Sequence, residues 1–348
     1  MPVDPLFHVR ASVFNVIGPC RILLAMRALR IALAIAAALG CAGSLAHSVP
    51  GAAGPREVAI TFDDLPGISI ARGSDASPET SLERLTAALL RSVSGLPVTA
   101  FVNQGKLGPP GSPSPGGVRA LTAWRDAGAQ LGNHTFAHSD FHRAGLEAFE
   151  SDVVEGEPVV RSLLAERQRR LTWFRHPFLH TGVSLPDKRA LEAFLSARGY
   201  RVAPVTIDNA EWIFARAYSA ALDRGDSALA SRVAEAYAPY MEAKFDYFER
   251  QSSALFGRQI RQVLLVHANS LNADHFSEIV AMMRRRGYRF VTLDRAVEDP
   301  AYATADTFTG RGGITWLHRW ALSTGRPVLP GEPRTPAFVL AAAGVDGE

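Results

Sequence analysis

From residue 57 onward, short apolar runs alternate with longer amphipathic stretches, and this alternation constrains the fold more than any other feature of the sequence. The apolar runs have the length of strands. They are Val58–Phe62, Val98–Val102, Leu171–Phe174, Tyr200–Ile207, Val263–Val266 and Tyr288–Leu293. The amphipathic stretches have the period of helices, and they include Gly117–Ala127, Leu146–Glu166, Pro186–Arg198 and His275–Arg286. Such alternation predicts an α/β fold with a mostly parallel sheet, either open or closed into a barrel.

The rest of the chain is divided around this core. Residues 1–46 form a predicted export region, 47–56 a linker rich in Gly, Ala and Pro, 57–298 the strand-and-helix domain, and 299–348 a C-terminal extension with weak periodicity. Within the domain, residues 212–257 are rich in Ala, Glu, Arg and Tyr and show no strand signal. They predict two or three helices inserted between neighbouring strands.

The sequence after Met26 has the parts of a secretory signal. Arg27 and Arg30 precede the apolar run Ile31–Leu39, and Ser44-Leu45-Ala46 places small residues where a signal peptidase reads. The apolar run is short for a bilayer span, which favours a signal peptide over a membrane anchor. We therefore expect an exported protein, either periplasmic or in the cell envelope, and otherwise secreted, with Met26 as an alternative start.

Both cysteines, Cys20 and Cys41, lie in this first stretch. Ala38-Leu39-Gly40-Cys41 loosely resembles a lipoprotein processing box, so a lipid anchor at Cys41 is the alternative to cleavage by signal peptidase. Because no thiol follows Cys41, the domain can contain neither a disulfide nor a thiolate metal site nor a cysteine nucleophile. A metal in this domain must be held by nitrogen and oxygen ligands.

The charge of the chain argues against a nucleic-acid partner. The formal net charge is only +3, and the basic residues are scattered between acidic ones. This is the pattern of a solvated surface rather than of a basic groove. Membrane contact is expected only through the signal peptide or a lipid at Cys41.

Two adjacent carboxylates, Asp63 and Asp64, directly follow the first predicted strand. Neighbouring negative charges repel each other and lose hydration at a strand end, so they need a stabilising partner. A metal ion is one such partner, taking one carboxylate as a ligand and leaving the other as a base. A solvated turn acid beside a helix N-cap is the structural alternative.

His134 and His138 are four residues apart in the segment GNHTFAH, and His142 continues the spacing. Neutral imidazole is a common ligand of zinc-like metals, and this spacing allows the rings to reach one point. Histidines of the surface or the core are the alternative interpretation.

Three further polar groups occur at or near the ends of predicted strands. Arg175, in the segment FRHPF, can form a bidentate ion pair that keeps a carboxylate ionised. A purely structural ion pair is the alternative. In the segment DNAEW, Glu211 precedes Trp212, a ring on which a sugar can stack. His267 follows a buried run, where a general acid can reach the site and a carboxylate can fix its tautomer.

In chain order, the motifs TFDD, HTxxH, RxPF, DxxEW and LxH resemble those of the polysaccharide deacetylase family, also called the NodB-homology or carbohydrate esterase family 4 domain. The resemblance covers roughly residues 57–293. It implies a distorted parallel (β/α) barrel of the NodB-homology type, here with a helical insertion. It also implies a hydrolase that removes acetyl groups from N-acetylated sugars of chitin-like, peptidoglycan-like or other N-acetylglucosamine polymers or oligosaccharides, releasing acetate.

The resemblance implies a role for each candidate residue. Asp64, His134 and His138 would bind one divalent metal ion, zinc in the first place, with cobalt or another transition metal as alternatives. Asp63 would be the catalytic base. The other implied roles are Arg175 as the partner that orients Asp63, His267 as general acid, Glu211 as the residue that positions His267, and Phe178 and Trp212 as substrate contacts.

Three departures from the family pattern accompany the resemblance. Leu65-Pro66 stands where the family usually has Gly-Pro, Glu211 stands where it usually has Asp, and the insertion after Trp212 is longer than the family norm. None of them removes a predicted ligand.

Three other functions stay open. The same residues would serve an O-acetyl esterase acting on xylan-like glycans. An amidohydrolase for a small non-sugar amide would be favoured by a closed pocket under the helices of residues 212–257. A non-catalytic carbohydrate-binding protein would need neither the base, the metal ligands nor the acid, so their joint presence argues against it.

Overall fold

The structure is a computed structural model that describes residues 56–72 and 77–348. The predicted export region, including Cys41, and nearly all of the linker lie outside these residues, so the export prediction stays a prediction. Within the described part of the chain, no helix has the length and apolar character needed to cross a membrane.

Seven parallel strands form one curled sheet, which confirms the predicted distorted (β/α) barrel. The strands are β1 (Arg56–Leu65), β2 (Val98–Val102), β3 (Gln130–Asn133), β4 (Trp173–Phe174), β5 (Arg201–Val202), β6 (Gln262–His267) and β7 (Tyr288–Phe290). The sheet order is β5-β4-β3-β2-β1-β6, and β7 pairs with the start of β1. A parallel bridge between Ile207 and Leu264 connects the segment after β5 to β6 and so joins the two sides of the curl.

Helices cover the outside of the sheet and bury its apolar outer face. They are α1 (Pro78–Ser92), α2 (Pro115–Asp126), α3 (Phe141–Ala144), α4 (Leu146–Glu155), α5 (Pro158–Ala165), α6 (Leu185–Ala197), α7 (Glu211–Asp223), α8 (Ser227–Phe256), α9 (Ser270–Arg285), α10 (Leu293–Val297), α11 (Trp316–Ser323) and α12 (Ala337–Ala343). Short 3-10 turns occur at Gln104–Leu107, Pro177–Leu179 and Pro300–Ala303. Helices α7 and α8 occupy the region of the predicted insertion, and α11 and α12 lie in the C-terminal extension.

The structure corrects the predicted secondary structure at several places. The predicted strand Tyr200–Ile207 is reduced to β5 and a single bridge at Ile207, and the predicted strand Tyr288–Leu293 ends at Phe290 because Leu293 begins α10. The single helix predicted over Leu146–Glu166 is wrong, because the chain forms α4 and α5 with Gly156 and Glu157 between them. Pro158 has no backbone N–H to continue the hydrogen bonds of α4, so it starts a new helix instead. Strand β3 was not predicted, since its sequence QLGN contains no β-branched residue. Its pairing with β2 and β4 defines it as a strand.

The interior of the barrel is lined by alternate residues of the strands. A small apolar cluster at its base consists of Ala59, Phe101, Trp173, Ala203, Val263, Leu293 and Ala296. Side chains of a strand alternate between its two faces, so Asp63, Arg175 and His267 continue the inward-facing series of β1, β4 and β6. The period of the strands therefore carries these polar groups to the carboxyl end of the barrel interior.

Candidate active site

A candidate metal centre lies at the carboxyl end of β1 and β3. Ligand atoms of Asp64, His134 and His138 all lie within 4.8 Å of one another, and Asp64 and His134 are buried. The His138 Nε2 atom is 3.6 Å from Asp64 Oδ1. Asp64 and His138 both take positive φ angles, 67° and 56°. Non-glycine residues rarely adopt this conformation, and such backbone strain occurs preferentially at functional sites.

The donors of this cluster are those that a zinc-like ion requires. The Nδ1 atom of His134 lies 2.8 Å from the Arg175 carbonyl, so Nδ1 carries the proton and Nε2 keeps its lone pair for a metal. Burial lowers the pKa of both His134 and His138, which favours the neutral, metal-binding form of each ring. A carboxylate and two neutral imidazoles leave room for water or substrate at a tetrahedral zinc ion.

His142 lies apart from this cluster, although it continues the spacing of His134 and His138. Residues 134–138 lie in a loop after β3, whereas His142 lies in α3, so the regular spacing does not extend across them. The His142 ring stacks on the ring of His180 at 3.9 Å, and His180 pairs with Asp140 at 2.6 Å. The three evenly spaced histidines thus belong to two separate groups.

Asp63 lies beside the Asp64–His134–His138 cluster and faces Arg175. The Arg175 Nη1 atom is 3.5 Å from Asp63 Oδ2, and the Asp63 Oδ1 atom is buried without a hydrogen-bond partner among the described residues. Burial raises the pKa of Asp63 to about 6, and the charge of Arg175 offsets only part of this rise. Asp63 is therefore a carboxylate near neutrality and is still basic enough to accept a proton.

Arg175 is itself fixed within the barrel. It is fully buried, donates from Nη2 to the Thr61 hydroxyl at 2.9 Å, and lies with its guanidinium carbon 4.7 Å from the centre of the Phe101 ring. A buried guanidinium keeps its charge, so it provides a permanent cation beside Asp63. Arg175 is in position to orient that carboxylate.

His267 and Glu211 form a buried pair on the opposite side of the site. The His267 Nδ1 atom is 2.9 Å from Glu211 Oε2, and Glu211 is fully buried. Asn269 and Asn272 donate hydrogen bonds to the other Glu211 oxygen, Oε1. Burial lowers the pKa of His267, but the hydrogen bond and charge of Glu211 outweigh this effect and raise it to about 9. His267 is thus a cationic acid at neutral pH.

The same residues open into one cavity of about 560 Å³. Phe178 and Trp212, with 53% and 37% of their surfaces exposed, line it together with the candidate ligands, Asp63 and His267. The Phe178 ring also packs edge-on against the His138 ring, 4.6 Å away. Of the nine residues to which the resemblance assigns a role, seven line this cavity. The other two, Arg175 and Glu211, contact the lining residues Asp63 and His267.

Several residues of the site were not predicted from the sequence. They are Lys106, Asn269, Asn272, Lys244, Glu332 and Glu348. The two asparagines follow His267 in the pattern HxNxxN, and this pattern after a buried strand is the one local signal that could have revealed them. The other four come from a 3-10 turn, the insertion and the C-terminal extension, where no motif marks them.

Lys106 is an unexpected neighbour of the Asp64–His134–His138 cluster. Its Nζ atom is 2.8 Å from Asp64 Oδ1. Burial raises the pKa of Asp64, but Lys106, with smaller contributions from the three nearby histidines, holds it below the ordinary value of a carboxyl group. The ammonium group therefore occupies a position from which it would repel a divalent ion.

We expect Lys106→Met to tighten metal binding by about tenfold. An ammonium and a dication a few ångströms apart repel each other by on the order of 1 kcal/mol or more in a partly buried site. Competition with a fluorescent chelator would measure the dissociation constant. The control is Arg119→Met, which removes an exposed cation paired with Glu83. Weaker binding by the Lys106 variant would show instead that the ammonium orients Asp64 for the metal.

The first part of the domain is similar to a known protein family. Residues 51–193 match the sequence model of the family described as polysaccharide deacetylase. The resemblance to polysaccharide deacetylases is confirmed. The matched segment contains Asp63, Asp64, His134, His138 and Arg175. It ends before Glu211 and His267, so for these two residues the geometry of the pair is the supporting observation.

Solved structures of similar outline include three with related descriptions. A family 4 carbohydrate esterase from Streptomyces lividans in complex with acetate has 17% identity and a TM-score of 0.44 over 70% of this chain and 97% of that one. The polysaccharide deacetylase Bc1974 from Bacillus cereus has 16% identity and a TM-score of 0.45 over 68% and 91%. A CE4 family pseudoenzyme from Bacillus anthracis has 11% identity and a TM-score of 0.44 over 70% and 66%. Comparison with curated protein sequences gave no match.

Proposed function

We propose that this protein is a metal-dependent hydrolase that removes the acetyl group from N-acetylated sugars and releases acetate. The observation that carries the proposal is the convergence of three groups on one cavity: the Asp64–His134–His138 cluster, the Asp63 carboxylate and the His267–Glu211 pair. A protein that only bound a glycan would need none of them.

The base side of the reaction is assigned to Asp63. A divalent metal held by Asp64, His134 and His138 would acidify water and polarise the acetyl carbonyl. With a pKa of about 6, Asp63 is ionised at neutral pH and can take a proton from the water that attacks the carbonyl carbon. Arg175 keeps the carboxylate oriented during this transfer. The backbone N–H of Phe178 is the proposed donor to the negative charge that develops on the carbonyl oxygen.

The acid side is assigned to His267. An amine is a poor leaving group unless it is protonated as the carbon–nitrogen bond breaks. Glu211 raises the pKa of His267 above its ordinary value, so His267 is a cation at neutral pH, and it faces the same cavity. It can therefore give its proton to the departing nitrogen. Glu211 is a positioning residue, because it contacts His267 and the two asparagines rather than the reacting atoms. The products are acetate and a free amino sugar.

A small non-sugar amide is a second candidate substrate. Lys244 of α8, inside the predicted insertion, lines the cavity, and a pocket enclosed by the insertion suits a small molecule. The exposed ring of Trp212 favours a sugar, because it offers an apolar face for stacking. An O-acetyl ester would use the same residues, with less need for the acid.

The proposal predicts acetate release that depends on about one equivalent of bound metal. Purified protein should release acetate from at least one N-acetylated oligosaccharide in a panel that also contains O-acetylated xylan and simple acetamides. Treatment with a strong chelator should lower the rate by several orders of magnitude, and zinc or cobalt should restore it. Metal analysis of the same sample gives the stoichiometry. Activity that persists after complete metal removal would refute the proposed chemistry.

A further inference from the structure

The C-terminal extension is fixed along helix α8 next to the cavity. The Tyr247 hydroxyl donates to the Leu329 carbonyl at 2.7 Å, and the Leu329 N–H donates to Gln251 Oε1 at 2.8 Å. Lys244 Nζ then forms an ion pair with Glu332 Oε1 at 2.7 Å. Three side chains of one helix thus hold residues 329–332 in place, and their last contact lies at the cavity wall.

Helix α8 also contacts the segment that leads into Glu211. The Ala210 N–H, directly before Glu211, donates to the Tyr240 hydroxyl at 2.8 Å. The Tyr240 ring packs against Phe214 of α7 with ring centres 4.8 Å apart, and Lys244 Nζ lies 5.6 Å from the centre of the same tyrosine ring. The wall that Lys244 contributes is therefore held at a fixed place relative to Glu211.

The extension reaches the cavity from a second side as well. A Cβ atom added at Gly313 would lie 1.7 Å from the Phe178 carbonyl oxygen, so the two backbones are in direct contact. Arg319 of α11 donates to the Leu179 carbonyl and to the Thr181 hydroxyl, the latter at 2.7 Å. The extension thus supports the Phe178 loop and, further along the chain, supplies Glu332 and Glu348 to the cavity lining.

These contacts determine the size and the lining of the cavity beside the Asp64–His134–His138 cluster. The cavity of about 560 Å³ lies within the range of about 300–1,000 Å³ that encloses small ligands. Part of its lining is Lys244, Glu332 and Glu348, which offer ammonium donors and carboxylate acceptors. Donors and acceptors together suit the hydroxyl groups of a sugar better than an apolar amide.

We propose that Lys244, Glu332 and Glu348 form a closed end of the substrate site, so that the enzyme deacetylates terminal sugars and short oligosaccharides rather than the interior of a polymer. The proposal rests on the proposed deacetylase function and specifies its substrate class. The Lys244–Glu332 pair hydrogen-bonds the hydroxyl groups of the terminal sugar, and the chain continues away from this wall.

Binding of an N-acetylglucosamine series to the metal-loaded Asp63→Asn variant tests the closed end without requiring turnover. Calorimetry from the monosaccharide to the hexasaccharide should show affinity that rises over the first units and then stays constant. With wild-type enzyme and oligosaccharides labelled at one end, mass spectrometry should place the free amine at one terminal sugar.

A double variant, Lys244→Ala with Glu332→Ala, opens the wall without leaving either charge unpaired. We expect it to deacetylate internal sugars. The ratio of its affinity for the hexasaccharide to its affinity for the disaccharide should be at least tenfold higher than in the protein with the unmodified wall. The matched control removes the exposed ion pair of Arg201 and Asp294, which has a length of 2.6 Å and no contact with the cavity. This control should leave the length dependence unchanged.

The possible outcomes distinguish a failure of the closed end from a failure of the deacetylase function. Affinity that increases with every added sugar, or internal deacetylation by the wild-type enzyme, would refute the closed end while leaving the deacetylase function intact. Failure of every oligosaccharide to bind would refute both. The position of the free amine in the products of the wild-type enzyme decides the question even if the double variant does not fold, because an open groove with few subsites would also give a constant affinity for longer chains.

Discussion

Replacing Asp63 with asparagine is expected to lower kcat/KM by about 10²–10⁴-fold while leaving one metal ion bound, because a general base contributes a factor of this size. Asparagine has nearly the same shape as aspartate but cannot accept a proton at neutral pH. The Asp64–His134–His138 cluster is untouched by the change, and Arg175 still meets a carbonyl oxygen at position 63.

The matched control is the neighbouring substitution Asp64→Asn. It changes the same chemical group one residue away, and it should lose metal together with activity because it removes a charged ligand. Metal analysis and acetate release on both variants distinguish the two carboxylates. If Asp63→Asn also lost its metal, the base and the ligand could not be assigned to separate residues. A thermal unfolding curve for each variant verifies that the protein is folded.

The second large effect is expected for Glu211→Gln, which should narrow the pH range of activity from its alkaline side. His267 must be protonated to act as an acid, so kcat/KM falls as the pH rises through the pKa of His267. Glu211 raises that pKa to about 9, against the opposing effect of burial. A bound divalent ion would lower the pKa in wild type and variant alike. Loss of the carboxylate charge should therefore move the alkaline limb to lower pH by at least one unit.

The acidic limb should respond much less to the same substitution. The acidic limb reflects protonation of Asp63. Burial raises the pKa of Asp63 to about 6, although the charge of Arg175 opposes part of this rise. Glutamine keeps an oxygen for Asn269 and Asn272, so the local packing is preserved. The loss of rate in the variant should thus be greatest above pH 8 and small near pH 6.

Glu278→Gln is a suitable control for this measurement. Glu278 pairs with His275 at 3.0 Å, but the pair is on the surface of α9 and does not line the cavity. The profile of kcat/KM from about pH 5 to 10 reports the groups of the free enzyme. An alkaline limb that stays in place in Glu211→Gln would exclude Glu211 as the residue that sets the acidity of His267.

The local sequence was sufficient to locate the site residues that lie at the end of a strand. Asp63, Arg175 and His267 each continue a period-two series of buried residues, and in a parallel sheet such series end at one edge. The fold class and the common location of these groups were therefore predictable. The position of His142 was not predictable in this way, because the loop after β3 breaks the periodicity on which its grouping with His134 and His138 depended.

What only the tertiary structure decided is the environment of each group and the shape of the cavity. The pKa of Asp63 follows from its burial, and that of His267 from Glu211, which lies 56 residues away in the chain. Lys244 and Glu332 meet across 88 residues and carry no motif, so no local pattern could place them at the substrate site. Periodicity reports which face of a strand or helix a residue occupies, whereas contacts between distant segments depend on how the whole chain packs.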